Sequence, residues 1–130
     1  MTSELQHYIE GWLHKADNDV ASAKRLIEIE PAILDNACFH CQQAIEKFIK
    51  AYLIFNGIDI QRTHNIIFLL SEAAKFDSVF GDIETHDINT YAVQGRYPDM
   101  SVIPELEEAK TYYELALEIK ELVTSRIKFS

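Results

Sequence analysis

The spacing of apolar residues is the feature that most restricts how this chain can fold. From Leu5 to Ile27, apolar side chains recur at steps of three and four residues, so they fall on one arc of a helix with charged residues opposite. Alternation of apolar and polar residues at period two, the pattern of a half-buried strand, is not found along the chain. The pattern therefore predicts an all-α protein.

Capping residues, prolines and glycines divide this pattern into separate helices. Ser3 and the glutamine three residues later have the spacing of a capping box, which predicts a helix starting at Ser3. Pro31 ends that helix near residue 29 or 30. A second helix, apolar over about half its circumference, is predicted from about Leu34 to Phe55 and ends at Asn56-Gly57. We expect it to be the central helix, packed against several neighbours.

The second half of the chain predicts three further helices. Thr63 or Asn65 is positioned to cap a third helix, a shorter fourth helix is predicted over Ile83–Gln94, and Pro104 is placed in the first turn of the last helix. Short loops make consecutive helices run antiparallel. We therefore expect one domain over residues 1–130, folded as an antiparallel up-down bundle of four to five helices.

Charge and hydropathy exclude several functional classes. Twelve Lys and Arg residues against twenty-one Asp and Glu residues give a net charge of −9, which disfavours a broad surface for DNA or anionic membranes. The longest apolar run, Ile66 to Leu70, is far shorter than the about 20 residues of a membrane span. The N-terminal residues lack the basic and apolar regions of a secretion signal. We expect a cytoplasmic protein that does not contact membranes.

Three polar or reactive side chains on apolar helix faces are expected to be structural. Cys38 and Cys41 form a C-x-x-C pattern, but no second Cys or His pair completes a zinc site, so we predict core packing and no bound metal. Asp19 lies at the edge of the apolar arc of the first helix. Its carboxylate needs a partner, which we expect to be a Lys or Arg of a neighbouring helix.

A narrow polar stripe on the second helix is the first candidate binding surface. Its members recur at steps of three, four and three residues: His40, Gln43, Lys47 and Lys50. The stripe is interpreted either as half of a polar groove for a phosphorylated ligand or RNA, or as a solvated strip whose lysine stems cover the core.

Two short basic and polar clusters at helix boundaries are the second candidate. They are Arg62-Thr63-His64 and Gly95-Arg96-Tyr97-Pro98, where unpaired helix N–H groups are available. Arginine binds phosphate with two hydrogen bonds, tyrosine can stack on a base, and histidine can transfer a proton near pH 7. The alternative for the second cluster is a salt bridge at a helix end with an aromatic plug.

Four segments occur in an order and spacing typical of a known family. The second segment contains the pattern F-H-x-Q-Q-A-x-E-K-x-x-K-A, and the four are 12–23, 37–53, 63–66 with Leu69-Leu70, and 96–98. Together they resemble the HEPN domain family, in particular its small stand-alone prokaryotic members of the nucleotidyltransferase-associated type. The resemblance covers essentially the whole chain.

The resemblance implies a fold, ligands and partners. It implies a helical bundle that forms a homodimer, with a polar cleft near the dimer interface that binds a nucleotide, such as ATP or GTP, or RNA. No other cofactor is implied. Small members often act with a separately encoded minimal nucleotidyltransferase, some as toxin–antitoxin pairs, and this chain has no nucleotidyltransferase motif of its own.

Carried over to this sequence, the resemblance implies a polar site and raises the question of catalysis. His64, Arg96 and Tyr97 would form the site, with Lys47 and Lys50 as phosphate contacts beside His40 and Gln43 of the stripe. Many HEPN proteins are metal-independent endoribonucleases with an Arg, four to six residues and then a His, but here no histidine follows Arg96. We therefore expect a binding protein rather than an enzyme.

Two alternatives remain open at the level of the sequence. One is a metal-independent endoribonuclease toxin in which Arg96 acts with His64, or with His40, brought close in space. The other is a non-catalytic helical module whose role is to bind another protein.

Overall fold

The computed structural model describes residues 1–60, 62–88 and 103–129, and within these ranges the regular structure is helical. The α-helices are α1 (Ser3–Glu28), α2 (Leu34–Phe55), α3 (Ile66–Ala74) and α4 (Leu106–Arg126). A 3₁₀ helix, Ser78–Asp82, follows α3, and these three ranges contain no strand. The all-α prediction is confirmed.

Helix α2 is the central element, as the width of its apolar arc predicts. It packs along α1 and α4 and contacts α3. Asp19 of α1 contacts Lys47 of α2, whereas Trp12, earlier in α1, lies over Lys50, later in α2. Since a later residue of α1 contacts an earlier residue of α2, and the reverse, α1 and α2 are antiparallel. Asp17 also forms an ion pair with Lys120, which ties α4 to α1.

The core is built around fully buried side chains of α2. Phe48, Ile49 and Leu53 have no exposed surface, and neither do Cys38 and Cys41. Burial raises the pKa of each cysteine thiol to about 12, so thiolate chemistry is disfavoured at neutral pH. The predicted core role of the two cysteines is confirmed.

The observed helices begin and end close to the predicted positions, but the N-cap of α1 differs from the predicted one. Helix α1 begins at Ser3, but Thr2 is the N-cap and its Oγ1 accepts the Leu5 N–H at 3.1 Å, so the Ser3 capping box was wrong. Asn65 caps α3 by accepting the Phe68 N–H, as one of the two predicted options.

The first turn of α4 differs from the prediction for a physical reason. Its N-cap is Glu105, whose backbone N–H points to the Glu108 carboxylate at 3.5 Å. Pro104 therefore lies before the cap instead of in the first turn.

The end of α2 agrees with the prediction. Asn56 is the C-cap and Gly57 has φ +89°, a conformation that favours glycine.

The fourth helix predicted over Ile83–Gln94 is wrong in the part that the structure describes. Ile83 is extended and residues 86–88 form a turn. His86 and Asp87 both have positive φ, which a right-handed helix excludes. The Tyr112 hydroxyl of α4 donates to the His86 carbonyl at 2.8 Å and fixes this turn to the bundle. Residues 89–94 lie outside the described residues.

Membrane insertion through a helix has no basis in the described part of the chain. Each helix there is too short or too polar to cross a bilayer.

Candidate functional site

A polar arc on α2 is the candidate site. At 3.6 residues per turn its side chains cover about 160° of the helix surface, and its members are His40, Gln42, Gln43, Glu46, Lys47 and Lys50. The predicted stripe accounts for four of them, and Gln42 and Glu46 were missed. The arc is largely covered: Gln42, Glu46 and Lys50 are buried, and His40, Gln43 and Lys47 are half-buried.

Asp19 of α1 contacts two members of this arc, His40 and Lys47. Its Oδ1 lies 2.8 Å from His40 Nδ1, and its Oδ2 accepts from Lys47 Nζ at 2.5 Å. Asp19 itself is only 8% exposed. The expected pairing of Asp19 with a cation of a neighbouring helix is confirmed, and the carboxylate also orients an imidazole.

Glu46 connects α2 to His64, in the loop before α3. Its Oε1 accepts a hydrogen bond from Gln42 Nε2, and its Oε2 lies 3.0 Å from His64 Nδ1. Burial raises the pKa of the Glu46 carboxyl above its ordinary value, since the cost of desolvation outweighs the favourable contacts with His64, Lys50 and Gln42. His64 and the predicted stripe are therefore brought together by a glutamate.

Lys50 and Gln42 show how strongly this arc is removed from water. Lys50 is 4% exposed and its Nζ lies 5.8 Å from the centroid of the Trp12 ring. Burial lowers the pKa of Lys50, against the opposing charges of Glu46 and Asp59. Gln42 is fully buried, and its Oε1 has no hydrogen-bond partner among the described residues. The interpretation of the stripe as a solvated strip therefore does not hold at Lys50, whose side chain is buried.

The two carboxylate–imidazole pairs define what the arc can do chemically. In each pair the carboxylate faces Nδ1, so Nε2 lies on the opposite edge of the ring. The His64 side chain is 46% exposed, compared with 3% for Glu46. A fixed imidazole of this kind can transfer a proton, or bind an anion when it is protonated.

The structure does not describe two of the candidate site residues. Arg96 and Tyr97 lie outside the described residues. Arg62, which neighbours His64 in the sequence, is exposed. Within 1–60, 62–88 and 103–129, no three His, Cys, Asp or Glu side chains form a group that could hold a metal ion.

One sequence signal could have revealed the missed residues. Gln42, Glu46 and Lys50 are spaced by four residues, so they lie in one row along the helix. Glu46 is the acidic member of this row and lies at the edge of the apolar arc of α2, where a carboxylate needs a hydrogen-bonded partner. The partner, His64, comes from another element and is found only in the folded chain.

The fold and the arc define the class of protein: a small helical bundle whose central helix contributes one residue to each of two carboxylate–imidazole pairs. A family model described as the HEPN domain matches residues 9–127. The chain therefore belongs to the HEPN domain family, as the sequence resemblance indicated.

A solved structure supports the fold. The crystal structure of an archaeal HEPN homologue is similar to this chain with a TM-score of 0.63 and 24% sequence identity, covering 92% of this chain and 98% of that chain. At this identity the likeness bears on the fold alone. No curated protein matches the chain.

Proposed function

We propose that this HEPN protein forms a homodimer that binds a nucleotide or an RNA phosphate and acts with a separately encoded minimal nucleotidyltransferase, as a regulatory or toxin–antitoxin pair. The observation that carries the proposal is the 3.0 Å contact between His64 and buried Glu46. It holds an exposed imidazole at the edge of an arc that contains two lysines. Arg96 and Tyr97 are proposed to complete the site.

The charge distribution around the arc supports an anionic ligand. Lys47 and Lys50 lie on α2 within one turn of each other, and His40 and His64 flank them. Asp19 and Glu46 offset part of this charge. A site with this mixture suits one or two phosphate groups better than an extended nucleic acid.

Isothermal titration calorimetry with ATP, GTP and AMP tests the ligand. We expect His64→Ala and Arg96→Ala to weaken nucleotide binding about tenfold or more, because each substitution removes a hydrogen bond to a charged group. His14→Ala, which removes an exposed histidine of α1, is the matched control and should bind like the wild type. Far-UV circular dichroism checks that each variant keeps its helicity. Failure of the wild type to bind any of the three nucleotides would overturn the proposal.

Dimerisation and partnership need separate measurements. Sedimentation should give the mass of two chains, about twice 15.0 kDa. If a neighbouring reading frame encodes a minimal nucleotidyltransferase, its co-expression with this chain should yield a complex that survives affinity purification. A monomer, or a tagged protein that does not retain that partner, contradicts these parts of the proposal without affecting the calorimetry.

A second candidate function, endoribonuclease activity, is favoured by the same acid–histidine pair. A carboxylate that fixes an imidazole through Nδ1 is the usual arrangement of a general acid or base. Cleavage of total RNA in the presence of a chelator, lost in both His64→Ala and Arg96→Ala but kept in His14→Ala, would place the protein in this class. Intact RNA with retained nucleotide binding favours the binding function.

A further inference from the structure

A glycine in the middle of the exposed face of α1 has no explanation in the packing of the chain. Gly11 lies inside α1, where glycine is less favourable than alanine because the unfolded backbone has more freedom to lose. Apart from its chain neighbours and the backbone of its own helix, a Cβ atom added at Gly11 would meet no atom of the described structure within 4 Å. The bundle therefore does not need a glycine here, and the open space above it is available to another molecule.

That open space is a cleft with aromatic walls. Its volume is about 310 Å³ and its lining is His7, Tyr8, Gly11, Trp12 and Lys15. The rings of Tyr8 and Trp12 lie 6.4 Å apart, centroid to centroid, with an interplanar angle of 77°. The backbone at Gly11 forms the floor, so a flat molecule can approach the helix axis more closely here than beside any larger residue.

Contacts from outside α1 hold the two aromatic walls in place. The Tyr8 hydroxyl lies 3.4 Å from Asp59 Oδ2, and Lys50 Nζ of α2 lies over the Trp12 ring. The cleft is thus already shaped before anything binds, which is typical of ligand sites.

The cleft is lined by one lysine and one histidine, although the protein as a whole is acidic. His7 and Lys15 lie one helical turn before and after Gly11, and the ammonium of Lys50 is 5.8 Å from the Trp12 centroid. Lys50 is buried outside this lining, and the charges of Glu46 and Asp59 oppose its own, so Lys15 supplies the exposed positive charge of the cleft. Asp59 also contacts the Tyr8 hydroxyl. In a chain with a net charge of −9, such a cleft selects an anion that also has an aromatic ring to stack.

We propose that the cleft over Gly11 binds a planar aromatic ring that bears a negatively charged group, with the ring on the Gly11 backbone against Trp12 and the charge at Lys15 or His7. This site lies on α1 and goes beyond the proposed phosphate site on α2. The shared chemistry has two sources, a mononucleotide and an aromatic carboxylate.

The single tryptophan of the chain reports directly on this cleft. Because Trp12 is the only tryptophan, its fluorescence is not mixed with that of another tryptophan. We expect quenching that saturates with AMP, with benzoate, or with both, and the pattern identifies the source. Adenosine, which lacks the charge, and inorganic phosphate, which lacks the ring, should quench much less. No saturation with AMP or benzoate, or equal quenching by phosphate alone, would overturn the proposal.

Gly11→Ala separates binding from folding. The added methyl group occupies the floor of the cleft without clashing inside the protein, so we expect Tm to rise while the affinity for the aromatic anion falls about tenfold. Lys15→Gln should weaken the anion but not adenosine, and Lys24→Gln, a lysine of α1 outside the cleft, is the matched control. Unchanged affinity in Gly11→Ala contradicts the proposal.

The two proposed sites can fail independently. His64→Ala alters the site on α2 and leaves all five residues of the cleft in place, so it should not change the quenching of Trp12. If calorimetry finds no effect of His64→Ala while Gly11→Ala abolishes quenching, the cleft stands and the phosphate site falls. The opposite result removes the cleft and keeps the phosphate site. If His64→Ala alters the quenching as strongly as Gly11→Ala, the cleft is not a separate site and the proposal is overturned.

Discussion

Asp17 and Asp19 are two aspartates of one helix, each with a lysine partner, in different surroundings. The Asp17 carboxylate pairs with Lys120 at 2.8 Å, and both side chains are exposed by 40% or more. The Asp19 side chain is 11% exposed and binds both Lys47 and His40. Solvent screens the Asp17–Lys120 pair much more than the Asp19–Lys47 pair. The same substitution at the two positions therefore compares an exposed ion pair with a buried one.

Asp19→Asn should therefore destabilise the protein far more than Asp17→Asn. We expect a loss of about 1–3 kcal/mol for Asp19→Asn, because a half-buried ammonium loses its counter-charge, and about 0–1 kcal/mol for Asp17→Asn. Urea unfolding followed by circular dichroism measures both free energies of unfolding. Similar losses at the two positions would show that Asp19 is not a structural partner of Lys47.

Glu46 is expected to make stability depend on pH in a particular direction. Its pKa is raised from the ordinary 4.5, chiefly by burial, so the folded state binds the proton more tightly than the unfolded chain. The favourable contribution of the protonated carboxyl is complete below about pH 4.5 and is lost as the pH rises through the raised pKa of the folded state. Above that range the buried carboxylate opposes folding.

Glu46→Gln removes this titration and keeps an acceptor for His64. The free energy of unfolding of the variant minus that of the wild type should increase as the pH rises from 4.5, by about 1.4 kcal/mol for each unit of pKa shift. Urea unfolding at several pH values gives this difference. Glu114→Gln, which removes an exposed carboxylate of α4, is the control. A difference that does not change with pH would contradict the assignment.

At the scale of elements, periodicity predicted the long helices because each buries one face along its whole length. The predicted bounds of α1 and α2 match the observed Ser3–Glu28 and Leu34–Phe55 closely. Residues 83–88 were mispredicted because their conformation depends on a tertiary contact, the hydrogen bond from Tyr112 to the His86 carbonyl. Positive φ at two successive non-glycine residues leaves no clear signal in a hydropathy pattern.

The candidate site could be predicted only in part for a related reason. The polar stripe on α2, which includes His40 and Lys47, follows from spacing within one helix. The role of Glu46 depends on His64, which lies eighteen residues away and reaches it through the turn before α3. A pairing between elements of this kind becomes visible only when the packing of α2 and the α3 N-terminus is known.

For the whole molecule, a net charge of −9 limits how nucleic acid can be bound. Each phosphate that a protein neutralises on a single strand releases counterions, and the slope of log K against log salt changes by about −0.7. The proposed site on α2 has Lys47 and Lys50 as its described lysines, and Asp19 and Glu46 lie beside them. Such a site neutralises few phosphates, and the rest of the acidic surface repels the strand.

We therefore expect weak salt dependence for the binding of a short single-stranded RNA. The slope should be about −1.5 or shallower, corresponding to two phosphates, and Lys47→Gln should reduce it by about 0.7. Fluorescence anisotropy with a labelled RNA between low and physiological salt measures the slope, and Lys75→Gln, which removes an exposed lysine beyond α3, should leave it unchanged. A slope several times steeper would mean that the protein binds RNA over a broad basic surface, and it would contradict the proposed confined site on α2.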